Sequence, residues 1–486
     1  MMGLLLVVAA LQAPLADAAE RADFARMRAL LDGGADATAA QVDGMTALHW
    51  AAHHDDADAV RRLLAAGAKA GAASRYGVTP LSLACLNGNE AVVRLLLEAG
   101  ADPDAALPGG ETPLMTAART GRPGPVGLLL ARGAKVDAAD PRGQTALMWA
   151  AAEGHEAVVR LLLKAGADRG RRLASGFTAL LFAARNGKRE VVRALLEAGA
   201  DPNEAIRTKQ GGRGMARSGT SALILAVENA HYELALELVK AGADPNDLRS
   251  GYAPLHTLTW VRKPHRGDGE DGQPPPAGSG RVDSLAFARE LVKLGATVDL
   301  PLPKGASGKG KLTEEGATPL LFAARRADLP YMKLLAELGA DPLRPNKDGC
   351  TPLMAAAGVG TLFPTEEAGT EDEALDCVRW LIAAGGDVNA ADRNGETAMH
   401  GAAYKSLPRM VRLLTESGAK VEVWNRKNRH GWTPVLIAEG FRPGNFKPAP
   451  DTLAALHQAM TAAGVAPPPP TPRPDPAKDK KGYDED

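Results

Sequence analysis

Residues 145–168 read TALMWAAAEGHEAVVRLLLKAGAD. Thr145-Ala146-Leu147 opens a short helix, Gly154 and His155 turn the chain, and Val158, Val159, Leu161, Leu162 and Leu163 give a second helix its apolar side. Gly166 stands where that helix must end in a left-handed residue, a conformation glycine adopts without the clash a Cβ brings. Ala167 and Asp168 then lead into a turn. Just upstream, Asp140-Pro141-Arg142-Gly143 has Pro at the second position and Gly at the fourth, as a type I turn favours. The unit is therefore helix, helix and extended turn.

The unit recurs. A helix-closing glycine stands at Gly34, Gly67, Gly100, Gly133, Gly166 and Gly199, at a constant spacing of 33 residues, and continues with wider gaps at Gly242, Gly295, Gly339, Gly385, Gly418 and Gly464. A second series interleaves with it. The Thr of a Thr-Pro/Ala-Leu triplet occupies 46, 79, 112, 145 and 178, returns as Ser221, Thr318, Thr351 and Thr397, and persists in degraded form at Ala253 and Thr433. Composition agrees with a stack of thin layers: 45% of residues are hydrophobic but only 4% aromatic, so Ala, Leu and Gly must fill the core. The 57 Lys plus Arg against 58 Asp plus Glu give a formal charge of −1, which exerts no global pull toward nucleic acid, membrane or an acidic substrate.

These two registers resemble the ankyrin-repeat family, whose period is about 33 residues with a Thr-Pro-Leu-His opening. His49, His256 and His400 keep the histidine, and Ala51-Ala52, Ala117-Ala118, Ala150-Ala151 and Ala183-Ala184 keep the paired alanines. Ser82, Met115, Met148, Leu181 and Ile224 replace the histidine, which puts its local hydrogen bonds in doubt there. The resemblance covers residues 14–465 and implies an all-α repeat solenoid of about twelve stacked helix-turn-helix units with hairpin fingers and looped-out insertions. Each repeat then depends on its neighbours for stability.

Insertions break the period. Residues 203–219 and 300–316 lengthen two fingers and carry Arg207, Lys209, Arg213 and Arg217 in the first and Lys304, Lys309 and Lys311 in the second. Residues 262–281 and 358–373 separate paired helices, while 423–432 lengthen the last finger and 441–450 the last helix connection. Residues 466–486, Pro-rich and then charged, are expected to be a disordered tail. The apolar segment 1–13 reads as a signal peptide with Ala16-Asp17-Ala18 as a cleavage step, so a periplasmic or secreted location is expected. The alternative is a cytoplasmic protein that uses this segment as an apolar cap. No run approaches the roughly 18 apolar residues of a membrane span, so stable membrane insertion is not expected.

Four constellations invite chemistry. Residues 305–311, GASGKGK, imitate a phosphate-binding loop, but Leu312 replaces the magnesium-holding Ser or Thr and an extended finger is the simpler reading. His53-His54-Asp55-Asp56 carries potential metal ligands but replaces a helix–helix turn. Asp268, Glu270 and Asp271 alternate with glycines without the later bidentate Glu of a calcium loop. Cys85, Cys350 and Cys377 match no disulfide or zinc spacing and accompany no base. No cofactor, metal or catalytic residue is expected.

The resemblance assigns recognition instead to a concave face, made by the two residues after the paired alanines and by the fingers. The matching positions include Arg119, Arg185, Asn186, Arg325, Arg326, Tyr404 and Lys405. The central fingers add Arg169, Arg171, Arg172, Arg207, Lys209, Arg213 and Arg217 against Asp168, Asp201 and Glu204. Trp424 and Trp432 offer a competing anchor, although Trp424 also fits a seal on the C-terminal end of the stack. The expected function is a monomeric scaffold that binds a protein partner, one with an acidic surface if the basic fingers engage it. A regulatory or inhibitory subunit of an enzyme is the alternative, and an enzyme in its own right ranks below both.

Overall fold

The computed structural model describes residues 13–208, 217–264, 274–307, 311–362, 364, 368–441 and 447–472. They form 25 α-helices, and β pairing among the described residues is confined to isolated bridges such as Ala139 with Thr145. The chain divides into two compact units, Met1–Ala226 and Val227–Asp486.

In the first unit, helices such as Pro113–Thr120, Ala146–Glu153 and Ala179–Arg185 alternate along the chain with second helices such as Pro123–Ala131, Glu156–Lys164 and Arg189–Glu197. First helices pack on first helices of adjoining repeats and second on second. The second unit repeats the plan, with Pro254–Arg262, Pro319–Arg325, Pro352–Ala357, Ala398–Tyr404 and Pro434–Ala438 as first helices. Each unit is an all-α repeat solenoid.

Local chemistry explains the repeat. Thr145 lies in extended backbone before its helix, and its Oγ1 accepts the Met148 N–H at 3.3 Å, which satisfies one donor left open at the helix start. Gly166 has φ +88°; its N–H donates to the Leu163 carbonyl and the Ala167 N–H to that of Leu162, both at 3.0 Å. Two open carbonyls are thus closed at the far end. Val158, Val159 and Leu162 are buried, whereas Leu161 and Leu163 are only half-buried. The paired alanines are fully buried, and their lack of bulk lets helices approach without aromatic fillers.

The retained His49 ties its own repeat to the next. His49 Nδ1 accepts from Thr46 N at 3.1 Å and lies 2.8 Å from Thr46 Oγ1, while Nε2 contacts the Val78 carbonyl of the next repeat at 3.0 Å. Burial pushes His256 and His400 down to about 4, so both are neutral at pH 7. Where the histidine is absent, the threonine cap survives: Thr112 and Thr178 still accept from Met115 and Leu181. At Ser82 the serine restores the reciprocal half, accepting the Thr79 N–H at 3.0 Å.

The chain ends refine the sequence expectations. Residues 1–12 lie outside the described residues, and helix Pro14–Glu20 buries Leu15, Ala16, Ala18 and Ala19. In the segment 423–432, Trp424 closes a short helix, Val421–Trp424, and is buried rather than carried on an open finger. Of the tail, residues 466–472 form no helix and Thr471 bonds the Glu439 carboxylate; residues 473–486 lie outside the described set.

The insertion 262–281 leaves its repeats locked. Arg262 ends helix Pro254–Arg262 and meets Asp328 in a bidentate pair, Nε to Oδ2 at 2.7 Å and Nη2 to Oδ1 at 2.9 Å. Asp328 is 1% exposed and also accepts the Tyr331 N–H, while the Tyr331 hydroxyl donates to the Leu255 carbonyl at 2.9 Å. Arg262 in turn lies over the Tyr331 ring at 5.5 Å. Arg262→Ala should therefore destabilise the second unit by about 3 to 5 kcal/mol, because it leaves a buried carboxylate unpaired. Urea denaturation followed by circular dichroism measures this, and an unchanged midpoint would refute the role of the pair.

Candidate interaction surface

The expected recognition residues sort into exposed and buried sets. In the first unit Arg119, in the last turn of Pro113–Thr120, is exposed, pairs with Glu111 at 2.9 Å and lies over the Trp149 ring at 5.6 Å. Arg185, in the last turn of Ala179–Arg185, is likewise exposed and lies 5.0 Å from the centre of Phe177 and 5.4 Å from that of Phe182. These two rings sit 4.9 Å apart. Asn186 donates to the Ala152 carbonyl at 2.9 Å and so bridges two repeats while remaining exposed.

The fingers bring the other arginines alongside. Gly176 has φ +85°, and a Cβ there would stand 2.7 Å from both N and O of Arg207, so the adjoining backbones touch and only glycine fits. Thr208 Oγ1 reaches the Ala174 carbonyl at 3.4 Å across the same junction. Arg169, Arg207 and Arg217 are exposed, and Arg171 is half-buried against the Asp137 carbonyl at 3.2 Å. Arg172 does a different job. It pairs with Glu204 at 2.8 Å and donates to the Ala205 carbonyl at 2.9 Å, which clamps one finger to the next. Burial raises the Glu204 carboxyl, while the Thr178 hydroxyl bond and the Arg172 charge pull it back. Lys209 and Arg213 lie outside the described residues.

In the second unit the expected surface residues turn inward. Arg325 and Arg326 are half-buried, and Arg326 donates to the Lys263 carbonyl at 2.5 Å. Tyr404 and Lys405 are 2% and 7% exposed, which corrects their assignment to an open face. The cause is a buried polar network. The Tyr404 hydroxyl donates to Glu396 Oε1 at 3.0 Å, Asn428 Nδ2 donates to the same oxygen at 2.8 Å, and Lys405 Nζ donates to the Ala368 carbonyl at 3.1 Å. Trp424 is 2% exposed and belongs to the core as well. Trp432, half-buried beside His430, remains nearer the surface.

Two of the constellations that invited chemistry have described polar groups engaged within the fold. In the glycine-rich finger the Glu314 carboxylate accepts the Ala306 N–H at 3.0 Å, where a phosphate would need an unengaged donor; residues 308–310 lie outside the described set. Asp56 caps helix Ala57–Ala65, and the His54 ring contacts the Glu20 carbonyl at 3.0 Å. Among the described residues no group of three or more His, Cys, Asp and Glu is arranged to hold a metal, and Asp268, Glu270 and Asp271 fall outside them. Burial pushes Cys85 and Cys377 up to about 12 and raises Cys350 well above the ordinary thiol value, which keeps all three as thiols. The sequence reading missed Trp149, Phe177 and Phe182; only Phe182, one helical turn before Arg185 in the same helix, carried a local signal.

A family model described as ankyrin repeats (3 copies) matches residues 15–107, 104–173, 166–249 and 368–445. The mouse B-cell lymphoma 3 protein homolog is 33% identical over 129 residues, 26% of this chain and 25% of that protein. Human ankyrin repeat and SOCS box protein 6 is 31% identical over 166 residues, 32% of this chain and 37% of the relative. Human SH3 and multiple ankyrin repeat domains protein 2 is 34% identical over 206 residues, 38% of this chain and 10% of the relative. The matches thus span well under half of these relatives. The crystal structure of the human ASB11 ankyrin repeat domain aligns at 27% identity with a TM-score of 0.42, covering 48% of this chain and all of that one.

Burial pushes Glu396 up to about 7 from an ordinary 4.5, with Oε2 left without a partner among the described residues. A raised carboxylate contributes stability below pH 4.5 that is lost as pH rises through 7. Glu396→Gln should therefore gain on the wild type by on the order of 2 to 3 kcal/mol between pH 4.5 and 8. Parallel denaturation series at these two pH values test it; a difference independent of pH would show that the carboxyl titrates normally.

Proposed function

The chain belongs to the ankyrin-repeat family, and from that premise we propose that it is a binding scaffold whose first unit recognises an acidic segment of a partner protein. Proteins of this family generally act by protein–protein interaction rather than catalysis. The observation that carries the reading is Arg185, exposed yet held over Phe177 and Phe182, beside two fingers packed in backbone contact that present Arg169, Arg207 and Arg217. Aromatic rings that fix a guanidinium spare part of the side-chain entropy an arginine loses on binding a carboxylate. Arg119 over Trp149 repeats the arrangement two repeats earlier. No helix among the described residues is long and apolar enough to cross a membrane.

Steering by exposed charges is screened over about 8 to 10 Å at physiological ionic strength, so binding should weaken as salt rises, chiefly through the on-rate. Replacing Arg185, Arg207 and Arg217 together by Glu should weaken capture of an octapeptide of alternating Glu and Gly by at least about tenfold and flatten its salt dependence. Arg94→Glu, on a second helix in an exposed pair with Glu90, is the control. Unchanged affinity and salt slope in the triple variant would leave the arginines as a solvated surface and remove the basis of this reading.

We also infer export to the periplasm or the cell exterior, from the uncharged segment 1–13. Leu15, Ala16 and Ala18 are packed in the first helix, so a cut after Ala18 would remove five of its seven residues, and processing ahead of Pro14 preserves the repeat. N-terminal sequencing of the native protein should find a start shortly before Pro14. Intact Met1 in a cytosolic fraction would end the idea.

A further inference from the structure

The first unit holds a second surface of opposite character. Asp17, Glu20, Gln41, Val42, Asp43, Trp50, Arg75 and Tyr76 line an open cleft of about 620 Å³. Three carboxylates there face one guanidinium. Its walls are set by protein contacts. Gln41 donates from Nε2 to Asp17 Oδ1 at 2.9 Å and to Glu20 Oε2 at 2.8 Å, and accepts from Trp50 Nε1 at 2.8 Å. His54 stacks on Trp50 from a ring distance of 6.3 Å. The Asp43 carboxylate is oriented by the Met45 N–H at 3.0 Å, and the Asp43 carbonyl accepts the Arg75 N–H at 2.8 Å, which joins the two fingers.

Each of these carboxylates has one oxygen engaged and the other without a hydrogen bond among the described residues. Tyr76 is 72% exposed and Val42 60%, the two most exposed large hydrophobic side chains among the described residues. An aromatic pair among carboxylates attracts a cation twice over, through the ring quadrupole and through charge, and the exposed Val42 offers contact for an aliphatic stem. We propose that this cleft binds a basic segment of a partner protein, with a lysine or arginine side chain taken against Trp50 and Tyr76 and countered by Asp17, Glu20 and Asp43. The inference is independent of the basic ledge at Arg185, since the two surfaces call for segments of opposite charge.

The full chain is titrated by fluorescence anisotropy with a fluorescein-labelled nonapeptide of alternating Lys and Gly, and with the same peptide acetylated on every lysine. The unmodified peptide should bind, and acetylation should weaken it by at least about tenfold. Tyr76→Ala and Asp43→Asn, which remove an exposed ring and a charge without touching the core, should each weaken it by about three- to tenfold. Both variants should keep the wild-type melting curve and their capture of the acidic octapeptide. Equal binding of the acetylated peptide, full affinity in Tyr76→Ala, or no binding by the wild type would overturn the proposal. So would a dimer in sedimentation velocity that Tyr76→Ala dissolves, with no peptide bound, because the occupant would then be a second copy of the chain.

Discussion

A helix pair with seven to nine residues in each arm has more apolar surface than it can cover by itself. Val158, Val159 and Leu162 are fully buried only because the second helices on either side close over them. Everything else in the molecule follows from keeping the next repeat within reach. Alanine pairs sit where first helices meet, a threonine caps the start of most first helices, and a left-handed glycine turns each second helix back toward the fingers.

The same requirement governs what happens where the period breaks. The insertion 262–281 lengthens the path between two paired helices, and the polar anchor of Arg262, Asp328 and Tyr331 holds helix Pro254–Arg262 against the repeat that follows. In the last repeats, Glu396, Tyr404 and Asn428 form a second buried polar network. Buried polar groups of this kind fix one arrangement because any other leaves them unsatisfied.

The period, the caps and the paired helices were legible in the sequence because each arises within about 35 residues and from chemistry that a residue type announces. Exposure was not. Tyr404 and Lys405 occupy positions whose counterparts Arg185 and Asn186 face solvent, yet they are buried by Asn428 and Ala368, 24 and 37 residues away. Arg172 looked like one more charge on a basic finger and is a clamp, since Glu204 lies 32 residues on. The cleft at Trp50 and Tyr76 was invisible for a related reason: its carboxylates come from a first helix and a finger, and only a glutamine between them makes one site of the two.

The three cysteines give the fold a timekeeping property. Cys85 lies in a first helix of one unit, Cys350 beside the start of a first helix of the other, and Cys377 in one of its second helices; all three are buried, free and held as thiols. None can react with an alkylating reagent until its own layers part. Because opening in a repeat array is local rather than global, the three labelling rates are separate clocks for three places in the chain. A partner that grips the first unit alone would slow the clock at Cys85 and leave the other two running.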